Sequence, residues 1–81
     1  MREWSVAVGI VERVQKELER LGGLTADAVY VRLGRLAGIV PDTLRRSFVL
    51  ATEHTELART QLVIESVAGR DVVVTALELH S

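Results

Sequence analysis

The sequence predicts an α+β domain in which two helices pack on one face of a three-stranded sheet, in the order α-β-α-β-β. Three observations predict it: an N-terminal segment with apolar residues three and four positions apart, a later segment opened by the chain's one proline, and three short runs rich in aliphatic residues. With 81 residues the chain is expected to form a single domain, 1–81. Only 4% of the residues are aromatic and none is cysteine, so the core is aliphatic and neither disulfides nor thiolate-bound zinc support it.

The first helix is predicted from about Glu3 to Leu21, and it ends at a pair of glycines, which commonly follow a helix C-terminus. Its apolar stripe consists of Trp4, Ala7, Val8, Val11, Val14, Leu18 and Leu21. The helical spacing of Trp4 from Val8 and Val11 predicts that its ring lies in the core. The alternative is an anchor against a partner protein, because tryptophan is common at the centre of protein interfaces.

A half-buried strand is predicted from Ala28 to Leu33, where larger apolar residues alternate with others. The loop Gly34–Gly38 is interpreted as tight-turn geometry, since it lacks the Gly-Lys-Ser/Thr ending of a phosphate-binding loop. A second helix begins at Pro41, because proline needs no hydrogen-bond partner for its nitrogen in the first helical turn. This helix is expected to bury Leu44, Phe48 and Ala51 and to fray near residues 52–55.

Two further strands are predicted at 61–66 and 72–79, joined as a β-hairpin by a turn around 68–71. The last strand is apolar on both faces for most of its length, which is typical of the middle of a sheet. The predicted strand order is therefore first, third, second. The face of the sheet without helices would then show Val63 or Val73, either as a contact surface or as scattered surface valines.

Charge and hydropathy exclude several classes of function. The formal net charge is −1, with 10 basic and 11 acidic residues, so no nucleic-acid partner is expected. No apolar segment is long enough to span a membrane, and the N-terminus does not resemble a signal peptide, which together predict a cytoplasmic location. Catalysis is not expected, because there is no cysteine nucleophile and no serine has a recognisable base. Arg32, Arg35, Arg45 and Arg46 are expected to belong to a solvated surface of mixed charge. A small basic patch that meets an acidic partner surface is the alternative.

An ordered set of motifs resembles the HypA family of hydrogenase-maturation metallochaperones. The segment LGRLAGIVPDTLRRSFVLATEHT, from Leu33 to Thr55, is similar to the family's glycine-framed loop and proline-led helix, and ELARTQLVIESV is similar to the strand that follows. The matching positions are Gly34, Leu36, Gly38, Val40, Pro41, Leu44, Phe48 and Thr52. The resemblance extends over essentially the whole chain, including the closing segment GRDVVVTALELHS.

Two departures from the family limit what the resemblance implies about metals. The family carries a zinc domain between its last two strands, whereas here a tight turn connects residues 65–67 to residues 69–71. The family also binds nickel with the histidine that follows the initiator methionine. Here that position is Arg2, whose cationic guanidinium has no lone pair to offer. No zinc site, no resident cofactor and at most weak nickel binding are therefore expected.

The resemblance implies an accessory protein of [NiFe]-hydrogenase maturation that acts by protein–protein contact. Its partner would be a hydrogenase large subunit or a maturation GTPase, touched by the face formed by Met1, Arg2 and Glu3. A small structural or oligomeric module without a metal role is the alternative, and self-association stays open. A third hypothesis is a residual nickel carrier that uses the terminal amine with His54 or His80 across a subunit interface. For His54, a solvated side chain near a helix C-terminus is the simpler interpretation.

Overall fold

The computed structural model describes residues 2–81. It contains the five elements that the sequence predicts, in the predicted order. They are α1 (Arg2–Leu21), β1 (Thr25–Gly34), α2 (Pro41–Thr52), β2 (Gln61–Val67) and β3 (Val72–His80). The predicted boundaries are close to those observed, except that β1 begins three residues before the predicted start at Ala28.

The strand order is β2-β1-β3, so the predicted order and the predicted hairpin are both wrong. The central strand β1 pairs in parallel with β2 and antiparallel with β3, and both of its partners lie at the edges of the sheet. The reason is the position of α2 in the chain. A helix between two strands is the usual crossover that makes those strands parallel neighbours. This places β2 beside β1, and β3 then pairs with the other edge of β1.

The connection between β2 and β3 therefore crosses the end of β1 instead of forming a hairpin turn. Three backbone hydrogen bonds of 2.8 Å hold it there: the N–H groups of Gly34, Arg35 and Leu36 donate to the carbonyl groups of Asp71, Val67 and Gly69, respectively. The crossing is so close that a Cβ atom on Gly34 would collide with the backbone of Gly69. Only glycine fits at the end of β1 while this connection is in place.

Both helices pack on one face of the sheet, as predicted, and the core lies between them and β1. The largest fully buried side chains come from every part of this layer: Phe48, Leu44, Leu57, Val14, Val29 and Val31. Leu57 belongs to the turn-rich connection between α2 and β2, where the sequence predicted no core residue. Its backbone N–H is satisfied by the hydroxyl of Thr55, at 3.1 Å.

The buried stripe of α1 is rotated from the predicted one at its first turn. Trp4 is 42% exposed, so its assignment to the core is wrong, and Glu3 is buried in its place. The two stripes share Ala7, Val11, Val14 and Leu18, which is why the apolar spacing alone did not separate them. The loop before α2 decides between them, because it presents a backbone N–H group that a carboxylate can bind and an indole cannot.

Candidate functional site

The guanidinium of Arg2 is bound to the loop that follows β1. One of its terminal nitrogens donates a hydrogen bond to the carbonyl oxygen of Ala37, at 2.9 Å, while the residue as a whole stays exposed. Gly38 makes this approach possible: its φ is +74°, and a Cβ atom there would lie 2.8 Å from the other terminal nitrogen of Arg2. Arg2 therefore links the start of α1 to the loop and still presents a positive charge at the surface.

Glu3 holds the same loop from the other side. Its carboxylate accepts a hydrogen bond of 2.9 Å from the N–H of Val40, the residue that precedes α2, and only 8% of Glu3 is exposed. This hydrogen bond, with the backbone N–H of Glu3 itself and the charge of Arg2, lowers the pKa of the Glu3 carboxyl. One carboxylate oxygen of Glu3 thus holds the loop before α2 in place.

The first turn of α1 and residues 35–40 consequently form one surface, on which several apolar side chains are exposed. Leu36 is 70% exposed and directly precedes Ala37, whose carbonyl group binds Arg2. Val40 is 56% exposed, and its own N–H group binds Glu3. We call the exposed residues Arg2, Trp4, Leu36 and Val40 the N-terminal contact surface. Met1, the third predicted contact residue, lies outside the described residues.

The two histidines lie far from this surface. His54 is exposed just beyond the end of α2, about 18 Å along that helix from its start beside Glu3. His80 pairs with Thr25 at the beginning of β1, roughly 30 Å along the strand from the loop that Arg2 contacts. Neither histidine can reach the N-terminal turn of its own chain.

Both ring nitrogens of His80 are already engaged. Its Nδ1 lies 2.7 Å from a carboxylate oxygen of Asp27, and its Nε2 lies 2.8 Å from the hydroxyl of Thr25. Sequence reasoning missed this cluster, because it depends on the pairing of β1 with β3. The predicted mixed-charge surface is seen in the pairs Arg45–Asp42 and Arg32–Glu65.

Within residues 2–81 no group of three histidine or acidic side chains is close enough to hold a metal ion. Ni(II) in a tetragonal site prefers nitrogen donors, and the guanidinium of Arg2 cannot donate an electron pair. No described helix is long and apolar enough to cross a membrane.

Comparison with known proteins identifies the class of protein that this fold belongs to. The family model described as "Hydrogenase/urease nickel incorporation, metallochaperone, hypA" matches residues 1–72, which extend from the start of α1 to the first residue of β3. The chain belongs to the HypA family. The resemblance seen in the sequence is thereby confirmed over these residues, whereas the likeness of the closing segment beyond residue 72 stays a prediction.

Curated relatives named "Hydrogenase maturation factor HypA" agree with this assignment. The protein of Chloroflexus aggregans is 45% identical over 67 residues, which are 83% of this chain and 59% of the relative. The protein of Streptomyces avermitilis is 41% identical over 71 residues, which are 86% of this chain and 54% of the relative. The chain therefore matches somewhat more than half the length of these relatives.

Proposed function

We propose that this protein is an accessory factor of [NiFe]-hydrogenase maturation that acts by protein–protein contact, with at most weak binding of nickel and no catalysis of its own. Its partner is a hydrogenase large subunit or a maturation GTPase. Membership of the HypA family is the observation that carries the proposal. A cytoplasmic location is a prediction of the same proposal.

The composition of the N-terminal contact surface favours it as the place where the partner binds. It combines an arginine, a tryptophan and two aliphatic side chains, and arginine and tryptophan are the residue types most enriched among those that dominate binding energy. The surface is also held in one arrangement before any partner arrives, because Arg2 and Glu3 bind the loop on two sides. A pre-organised surface loses less conformational entropy on binding.

The lack of a suitable donor set favours contact over independent nickel transfer. Arg2 stands where the family's ligand histidine would be, and Glu3 uses its carboxylate within the fold. Any nickel would therefore be held mainly by the partner, with this chain completing or stabilising the complex. Membership of the family does not favour the alternative of a structural module without a metal role.

The test is to measure the affinity of the purified chain for a hydrogenase large subunit, and separately for the maturation GTPase, by biolayer interferometry. Arg2→Glu reverses the charge that Arg2 brings to this surface. Leu36→Asp replaces an exposed apolar side chain of the surface and leaves the hydrogen bond from Arg2 to Ala37 in place. We expect each to weaken the complex about ten-fold or more, as truncating a central interface residue does.

Arg59→Glu is the matched control, because Arg59 is exposed in the groove beside Thr25 and His80, at the opposite end of the domain. It should leave the affinity unchanged. Equal affinities for the unaltered chain and both surface variants, with circular dichroism showing intact folding, would remove the N-terminal contact surface from the proposal.

A further inference from the structure

The outer edge of β3 is open. Within residues 2–81, β3 pairs only with β1, so one side of this nine-residue strand presents unpaired backbone N–H and C=O groups. Natural proteins usually shield such an edge, since it is a template for pairing with another chain. One register shift, between Val74 and Ala76, interrupts this edge, and no strand of the described residues covers it, so it is a candidate binding site.

A groove between α1 and β3 adjoins this edge. On the helix side of β3, Val72, Val74, Leu77 and Leu79 pack on the core but remain only half-buried, because α1 does not cover them fully. The space above them is about 630 Å³, and it continues into a second space of about 380 Å³ that shares Arg13 and Val74. Together these spaces form what we call the α1–β3 groove.

The rim of the groove is basic. Arg13, Lys16 and Arg20 of α1 line it, and Glu17 is the only acidic residue among them. Glu17 is paired with Arg20, whereas neither Arg13 nor Lys16 forms an ion pair within the described part of the chain. Three positive charges against one negative charge give this rim a local positive excess on a chain whose formal net charge is −1.

We propose that the α1–β3 groove binds an acidic segment of a partner protein, which adds to the sheet as a further strand beside β3. Strand addition gives affinity through main-chain hydrogen bonds and specificity through alternate side chains. Here the helix-facing side chains of the added strand would pack on Val74 and Leu77, and its carboxylates would reach Arg13 and Lys16. This site is separate from the N-terminal contact surface and does not depend on the proposed function.

Charge argues against a second copy of the same chain in this place. Antiparallel pairing of β3 with β3 of another copy about a two-fold axis would put both α1 helices on one face of a continuous sheet. Their basic rims would then face each other across the junction, where like charges repel. A different partner with acidic residues matches the rim instead.

The test uses a fluorescein-labelled peptide of about seven residues, the usual length of a strand. One side of the extended peptide carries glutamate, leucine and glutamate, and the other side carries threonine. Fluorescence anisotropy should show saturable binding to the intact chain that weakens as salt is added, because exposed charges are screened. Amide signals of β3 should move in the nuclear magnetic resonance spectrum.

Three comparisons distinguish this site from non-specific attraction. The double variant Arg13→Glu with Lys16→Glu should weaken binding at least about ten-fold, whereas Arg59→Glu should not change it. A peptide with proline at its centre, which lacks the backbone N–H, should bind at least about ten-fold more weakly than its parent. Absence of binding at millimolar peptide, equal binding by the double variant, or a dimer that pairs β3 with β3 would each overturn the proposal.

Discussion

The most direct perturbation of the fold is Gly34→Ala, because this glycine lies beneath the connection that crosses the end of β1. An added Cβ atom would collide with the backbone of Gly69, so the connection must move away from the strand. That movement breaks the three 2.8 Å hydrogen bonds donated by Gly34, Arg35 and Leu36. At about 1 kcal/mol of net stability for each, the variant loses roughly 3 kcal/mol.

That loss is large for a domain of this size. At roughly 0.05–0.15 kcal/mol per residue, the chain's free energy of unfolding is on the order of 4–12 kcal/mol. For a domain of 60–100 residues each kcal/mol shifts the melting temperature by about 4–8 °C, so we expect Tm to fall by roughly 12–24 °C. The assay is thermal and urea unfolding followed by circular dichroism.

Gly9→Ala provides a matched control in the same chain. Gly9 lies within α1, and a Cβ atom there would meet no other atom within 4 Å. Replacing a helical glycine with alanine should therefore stabilise the protein by about 0.5–1 kcal/mol. If Gly34→Ala were as stable as the unaltered chain, the close crossing of β1 by the connection would be refuted.

Three further predictions concern the core and the N-terminal turn. Phe48→Ala should lower the free energy of unfolding by about 3–5 kcal/mol, measured by urea titration, because the ring is fully buried between the helices and the sheet. Trp4→Ala should change stability by less than about 1 kcal/mol in the same titration, since the ring is largely at the surface, yet it should weaken the partner complex. Glu3→Gln should destabilise the protein at neutral pH. The folded-state pKa of Glu3 is lowered, so the stability that its carboxylate contributes is present above the ordinary glutamate pKa and is lost as the pH falls through the folded-state value. The free energies of unfolding of the two proteins, measured against pH, should therefore converge in acid. A difference that stays constant with pH would contradict this.

Local features of the sequence predicted each helix and strand, because apolar spacing, paired glycines and the proline at the start of α2 act over short distances. Strand order depends on which segments meet across the chain. The apolar character of both faces of β3 suggested a central strand, but the order β1-α2-β2 is the stronger signal, since a helix between two strands is the usual connection of parallel neighbours. Taken first, that signal would have predicted the parallel pair.

In the candidate site, too, local features could be predicted from the sequence, whereas contacts between distant segments could not. Arg2 and the absence of cysteine are visible in the sequence. The internal role of Glu3 was not visible, because its partner is the backbone N–H of Val40, 37 positions away. A stripe starting at Glu3 would have been a weak hint, since it leads to Ala7, Ile10 and Val14 with helical spacing. Such spacing favours an apolar residue at the first position. The N–H group of Val40 reverses that preference, because it would lack this partner without the Glu3 carboxylate.

We propose that this HypA-family chain contributes contact and not a nickel site of its own. Native mass spectrometry of the protein with its natural N-terminus, mixed with equimolar Ni(II) and a hydrogenase large subunit, tests both halves of the claim in one spectrum. We expect a one-to-one complex with the large subunit and free chain that carries no nickel. One nickel ion retained on each free chain, with no complex formed, would contradict it.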